Sequence, residues 1–307
     1  MIGSDDVLIR TAAFEQVHRL SEVYGAIPSA KIKEGFHFSG ERLPLWNDQR
    51  GIFKPRQMRH LLSITTRIPR PRTRVWYDDQ REVHRQIEDG ITGVDYSFMG
   101  KDPNAADNRW LREAMESGVP IIYFIGVSPG LYEAAIPTFV CGWDAAQLKA
   151  TVVFGEPAQT MEAPPEDDAD RRYGLRLVRQ RLHQTSFRLA VMDAYGGRCA
   201  LSGLPERQLL DAAHIMPDLD EHLGQPVIRN GIALSKVHHA AFDAHLIGID
   251  PDYRMHISNR LMAQSDGPLL ESLKALDGHT IKLPQRDRDR PDRDRLAARY
   301  ARFQIAA

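Results

Sequence analysis

The stretch EPAQTMEAPPEDDAD at residues 156–170 holds six acids and three prolines, with no base and no aromatic side chain. A segment of that composition cannot bury enough apolar surface to fold on itself, and its prolines interrupt helix and strand alike. It reads as an acidic linker, so the 307-residue chain divides into a first domain at 1–155 and a second at 171–307. Each is long enough to bury its own core. The hydrophobic fraction of 42% and charged fraction of 26% exclude wholesale disorder and a fibrous repeat. No apolar run reaches the roughly 18–20 residues that span a bilayer. The opening MIGSDDVLIR carries acids where an export signal carries bases, so a cytoplasmic protein with free thiols at Cys141 and Cys199 is expected.

The net charge of −1 hides a division by position. Residues 31–74 carry eleven bases against three acids, and a second basic block, from Arg171 to Arg188, follows the linker. Each block taken singly reads as a solvated helix face; together they suit a polyanionic partner.

Along the first domain, Ala12, Val17, Leu20 and Val23 recur at helical spacing, which predicts a helix from Ile9 to Tyr24. Short β-like runs follow (LLSITTRI, TRVWY, VDYSFMG, VPIIYFIGV and PTFVCGW), interrupted by one helix at about Asn104–Ser117 that Gly118 and Pro120 end. That pattern predicts an α+β fold, with a curved or barrel-like sheet in the first domain and a mainly helical second domain. Residues 171–195 are expected to form two helices divided at Thr185 or Ser186 as N-cap. The alternating charges of RDRDRPDRDR at Arg286–Arg295 read as a solvated helix or loop.

Chemistry concentrates in the second domain. Strand-like LLDAAHI leads through a polar loop to Asn230-Gly231, then to helix-like IALSKVHHAAFDAH and a further strand, LIGI. Sixteen residues separate His214 from Asn230, nine separate Asn230 from His239, and four separate His239 from Asp243. This order and spacing resemble the HNH, or ββα-metal, nuclease motif. Hydrolysing a phosphodiester needs an activated water, a Lewis acid beside the scissile phosphate and stabilisation of the departing oxygen. The resemblance makes His214 the general base, and neutral imidazole can take a proton from water near pH 7. Asn230 matches the residue that fixes that imidazole, through its backbone or the loop around it. His239 and Asp243, four apart on a helix, share one face and can hold one divalent ion such as magnesium or manganese.

Two positions depart from the pattern. Many HNH nucleases place Asp just before the base, where this chain has Ala213; Asp211 is the candidate replacement ligand, with an outer-shell or surface role as the alternative. Where many relatives carry two pairs of zinc-binding cysteines, the matching positions here read Cys199, Ser202, Ser235 and His238, so no structural zinc is expected. His222 and His245 are read as structural or surface residues.

In the first domain, Trp76-Tyr77-Asp78-Asp79 is followed by Tyr96, Phe98 and Gly100 and then by Asn108-Arg109-x-Leu111. Over roughly residues 75–145 this resembles the SRA domain, a PUA-like reader that flips 5-modified cytosine out of DNA, with Trp76 where that family has glycine. The resemblance implies that Tyr77 and Phe98 stack on the base, with Tyr96 competing, and that Asp78 or Asp79 accepts from the cytosine amino group. The alternative is that the aromatics are sheet core and the acids a turn. Arg50, Lys54, Arg56, Arg59, Arg70, Arg72 and Arg74 are the expected phosphate contacts. An SRA-like reader before an HNH domain resembles the TagI-like modification-dependent restriction endonucleases. That family implies a double-stranded DNA substrate, and because cutting both strands needs two active sites a homodimer is expected. The alternatives are an HNH nuclease for another DNA target, phosphorothioate or unmodified, and a non-catalytic reader of modified DNA.

Overall fold

The computed structural model describes residues 4–69, 78–156, 163–217, 220, 222–265 and 267–306. The chain splits into two compact units, Met1–Thr185 and Ser186–Ala307. The first contains α1 (Ser4–Tyr24), β1 (Ile27–Pro28), α2 (Ser29–Glu34), β2 (Phe36–Phe38), β3 (Glu41–Leu43), β4 (Ile52–Phe53) and β5 (Ser63–Thr66). There follow α3 (Asp78–Glu88), β6 (Val94–Ser97), α4 (Ala106–Ser117), β7 (Ile121–Ser128), β8 (Leu131–Asp144) and β9 (Lys149–Phe154).

Among the described residues these strands make a seven-stranded sheet in the order β4-β5-β7-β8-β9-β6, with β1 paired to β8. Only β5 and β7 run parallel among its pairings. Register shifts within β7–β8 and β8–β9 act as bulges. Bulges bend a strand and increase its twist, which suits the curled, half-barrel sheet seen here. β7 shows why its sequence lacks polar alternation: Tyr123 and Ile125 pack with Val83, Leu111 and Leu175 on one face, while Ile122 and Phe124 pack with Phe14 and Val17 of α1 on the other. A strand covered on both faces reads as a continuous apolar run. Helix α1 is also tied to the sheet by buried charges. Asp6 accepts from the N–H groups of Arg59 and His60, and Arg10 Nη1 donates to the carbonyls of Leu61 and Pro120. Burial lowers the Arg10 guanidinium to about 10, against the opposing pull of Asp6.

The expected helix at 104–117 is α4, closed by Gly118 in the left-handed region at φ 63°. The expected break at Thr185 or Ser186 does not occur. Instead α5 is a single helix from Asp168 to Ala194. Thr185 has another partner, for its hydroxyl donates to Glu133 Oε2 of β8 at 3.1 Å. The units divide at Thr185/Ser186, beyond the acidic segment at 156–170, because Leu175, Val178 and Leu182 of α5 belong to the core of the first unit. Gly174 permits that packing, since a Cβ there would overlap the Phe154 carbonyl. The expected strand TRVWY, with Arg70, Arg72, Arg74 and Tyr77, falls on residues outside those described.

After α5, the second unit continues with β10 (Leu210–His214), β11 (Gly231–Ser235), α6 (Lys236–Asp243), β12 (Ile247–Ile249) and β13 (Met255–Ile257). It ends with α7 (Asn259–Met262), α8 (Pro268–Lys274) and α9 (Arg293–Ala306). Its core gathers Phe187 and Val191 of α5, Leu210 and Ala213 of β10, Ile232 and Leu234 of β11, Phe242 of α6 and Leu296 of α9. No helix among the described residues is long and apolar enough to cross a membrane.

Candidate active site

β10 and β11 pair antiparallel, with Asp211 opposite Leu234 and His214 opposite Gly231, and α6 follows β11 directly. The Ser235 hydroxyl starts that helix by accepting from the His238 N–H. One side chain thereby satisfies a donor that every helix start leaves open.

His214 stands at the end of β10, half-buried, where the chain turns into the loop. Asn230 has no exposed surface and is bonded all round. Its Oδ1 accepts from Met216 N–H at 2.9 Å, and its Nδ2 donates to the Met216 carbonyl at 3.0 Å and the Gln225 carbonyl at 3.1 Å. Its own carbonyl accepts from Ile215 N–H at 2.8 Å. Asn230 therefore fixes the two residues after His214 and leaves the imidazole itself to other contacts. Those include Phe187, whose ring lies 4.1 Å from the His214 ring at 9° to its plane.

His239 and Asp243 do share a face of α6, with Nε2 and Oδ2 3.2 Å apart. Asp211 reaches the same imidazole from the other side, its Oδ2 3.7 Å from Nδ1. Among the described residues no three His, Cys, Asp or Glu side chains converge as a metal site. The reason is visible in the ring: the two carboxylates approach different nitrogens, so they do not point at one centre. The donor pair His239 Nε2 and Asp243 still suits a divalent cation that completes its shell with water and phosphate oxygens. Asp211 is in turn held by Arg188, whose Nη1 donates to Oδ1 at 2.7 Å. The facing His239 and then Arg188 draw the Asp211 carboxyl down to about 2 against partial burial. His239 is raised, first by Asp211, with burial opposing and Asp243 assisting.

Beside this site the four departed positions partly meet. Cys199 Sγ lies 3.3 Å from His238 Nδ1, Ser235 Oγ lies 2.9 Å from that nitrogen, and Ser235 N–H donates to the sulfur at 3.3 Å. Burial pushes the Cys199 thiol up, but the bonds from His238, Ser202 and Ser235 outweigh it and bring it to about 6.

The residues expected to grip a base fare differently. Tyr96 and Phe98 are buried in the core of the first unit. The Tyr96 hydroxyl donates to the Gly51 carbonyl at 2.8 Å and its ring meets Tyr123 edge-on; Phe98 packs on Trp143 with centroids 4.1 Å apart. In this conformation neither offers a face to a flipped base. The physical reason is the pleat: both side chains of β6 and its extension turn toward the α4 side of the sheet, where covering helices exclude water. Asp78 and Asp79 open α3, and Tyr77 lies outside the described residues. A shallow cleft does open near the start of α5, lined by Phe139, Glu156, Pro165, Asp170 and Tyr173 among others, but its lining includes neither Tyr96 nor Phe98. Among the expected phosphate contacts, Arg50 pairs with Asp107 at 3.2 Å and Lys54 donates to the Met58 carbonyl at 3.0 Å, while Arg56 and Arg59 are exposed.

Two paired strands followed by a helix, with His214 at a strand end and His239 beside Asp243 on the helix, have the order of the ββα-metal arrangement. Residues 199–250 match the HNH endonuclease family model HNH_2, so the second unit carries an HNH endonuclease domain. No curated protein matches the chain. Among solved structures, a modification-dependent TagI restriction endonuclease is similar over 83% of this chain and 86% of that chain, at 13% identity and a TM-score of 0.33. Sequence alone does not single out Phe187 and Arg188 as site residues, because an aromatic beside a base in a basic helix carries no motif.

Proposed function

We propose that the chain is a metal-dependent DNA endonuclease that acts on DNA carrying modified cytosine, 5-methylcytosine foremost. The observation that supports the nuclease half most directly is the placement of His214 at a strand end whose following loop Asn230 holds by three side-chain bonds. A water beside His214 would pass a proton to the imidazole and attack the phosphorus, and the P–O3′ bond would break with the electron pair leaving on oxygen. A divalent cation at His239 and Asp243 would supply a Lewis acid at the scissile phosphate.

The reading half rests on the SRA resemblance over residues 75–145. With Tyr96 and Phe98 in the core, other side chains must stack on an extruded base, and Tyr77 is the remaining aromatic candidate. Cutting both strands calls for two such sites, which a homodimer supplies.

A supercoiled plasmid, methylated or not at cytosine, tests both halves when incubated with magnesium, manganese or a chelator. Nicking and linearisation of the methylated plasmid alone, abolished by the chelator, is the expected outcome. Equal cutting of both plasmids would overturn the modification dependence and leave the nuclease; no cutting with either ion would overturn the nuclease.

A further inference from the structure

Phe187 and Arg188 are neighbours in α5: Phe187 lies on one histidine, and Arg188 holds the carboxylate that faces another. The Phe187 ring lies parallel to the His214 imidazole. Arg188 spreads its two terminal nitrogens over one strand, Nη1 to Asp211 Oδ1 at 2.7 Å and Nη2 to the Leu210 carbonyl at 2.6 Å. The other Asp211 oxygen faces His239 Nδ1. Helix α5 comes this close because residue 231 is glycine: a Cβ there would overlap Val191 and Phe187.

A histidine ring has little intrinsic preference about χ2, so its plane must be set by what touches it. Asn230 fixes the two residues that follow His214, and the ring stacked on the imidazole is that of Phe187. His239 needs a different restraint, since a half-turn of its ring exchanges Nδ1 for Nε2. A carboxylate held against one nitrogen commits the other to the ligand. Asp211 can serve that way only if its own rotation is fixed, and a guanidinium fork bonded to both a carboxylate and a strand carbonyl fixes it.

We propose that Phe187 and Arg188 are positioning residues for this site, Phe187 setting the plane of His214 and Arg188, through Asp211, directing His239 Nε2 toward the cation. The assignment rests on the nuclease reading, but its two primary readouts require no cleavage. In the metal-free full-length protein, NMR of the histidine ring protons, assigned by comparison with His214→Ala, reports stacking. The His214 signals carry the shift of a ring above them, Phe187→Leu removes it, and Phe187→Tyr retains it. Manganese titration followed by electron paramagnetic resonance, without DNA, reports the other half. Arg188→Gln weakens manganese binding about 10–100-fold, Arg188→Lys restores little because one ammonium cannot span both acceptors, and Phe187→Leu stays within about twofold of wild type. On cleaved DNA, Phe187→Leu lowers kcat about 10–100-fold with KM unchanged. If Phe187→Leu does not fold, Phe187→Met, similar in volume and without a ring, takes its place. Unchanged His214 signals in the ring-less variant would overturn the role of Phe187, and wild-type manganese affinity in Arg188→Gln would overturn that of Arg188. Failure of the nuclease reading would show separately, as wild-type protein that cuts neither plasmid with magnesium or manganese.

Discussion

Asn108 in the first unit and Asn230 in the second make nearly the same set of bonds. Each is fully buried. Asn108 accepts from Met99 N–H at 2.8 Å and donates to the carbonyls of Met99 and Asp102 at 3.0 and 2.7 Å, just as Asn230 does with Met216 and Gln225. Each fixes a loop that follows a strand bearing expected site residues, β6 with Tyr96 and β10 with His214. What differs is the fate of those side chains. Tyr96 and Phe98 turn into the core, while His214 stays half-buried at its strand end. A clamped loop therefore marks where the backbone is rigid, and only the direction of the neighbouring side chain decides whether chemistry can use it.

The largest expected effect lies on the second side of this pair. His214→Ala should lower the cleavage rate by between about 100-fold and 10,000-fold while DNA affinity holds, as measured by plasmid nicking and gel shift. The two asparagines should then part company. Each truncation leaves buried backbone groups without partners and should cost about 3 kcal/mol in its own unit by chemical denaturation. Asn230→Ala should lower kcat about 100-fold as the loop after the base loosens, whereas Asn108→Ala should leave kcat within about twofold. A matched fall in kcat would show that the first clamp also serves the reaction.

Two carboxylates extend the contrast to pH. Burial lifts Glu133 in the first unit to about 7, with the Thr185 hydroxyl and Arg181 opposing, while Asp211 in the second is drawn down to about 2. An acid raised on folding takes up a proton, so its share of stability is complete below its ordinary value of 4.5 and is lost as pH rises through about 7. The Asp211 share is instead complete above 3.8 and is lost only as pH falls toward about 2. Raising the pH from 5 to 8 should weaken the first unit through Glu133, and Glu133→Gln should recover about 2–3 kcal/mol at pH 8 and nothing at pH 4.5, read by thermal melts. The smallest effect belongs to Tyr96→Phe, which removes the bond to the Gly51 carbonyl. It should cost about 1 kcal/mol and leave discrimination between methylated and unmethylated DNA unchanged. Lost discrimination would return Tyr96 to the base pocket.

The second unit was the more legible in sequence because its site residues depend on local order. His214, Asn230, His239 and Asp243 lie within thirty residues of one another, on two paired strands and the helix that follows, and spacing alone brings them together. The second carboxylate did not follow from spacing. Asp211 was a candidate ligand, but its side of the imidazole is set by Arg188, from a helix twenty-three residues away. In the first unit, aromatic–acidic clustering could not distinguish a pocket from a core. Tyr96 and Phe98 have the alternation of a half-exposed strand, and only the covering helices decide which half is wet. The helix break expected at Thr185 or Ser186 failed for a similar reason, since the Thr185 hydroxyl that could cap a new helix bonds to Glu133 across the sheet.

The continuity of α5 bears on any attempt to take the molecule apart. Its first half lends Leu175, Val178 and Leu182 to one core and its second half lends Phe187 and Val191 to the other. A chain severed at the acidic segment would strip the first sheet of three apolar side chains and leave them in water on the fragment that kept the nuclease. Both pieces should aggregate for that reason. The cleaner dissection lies after residue 185, where each fragment keeps the half-helix that seals it.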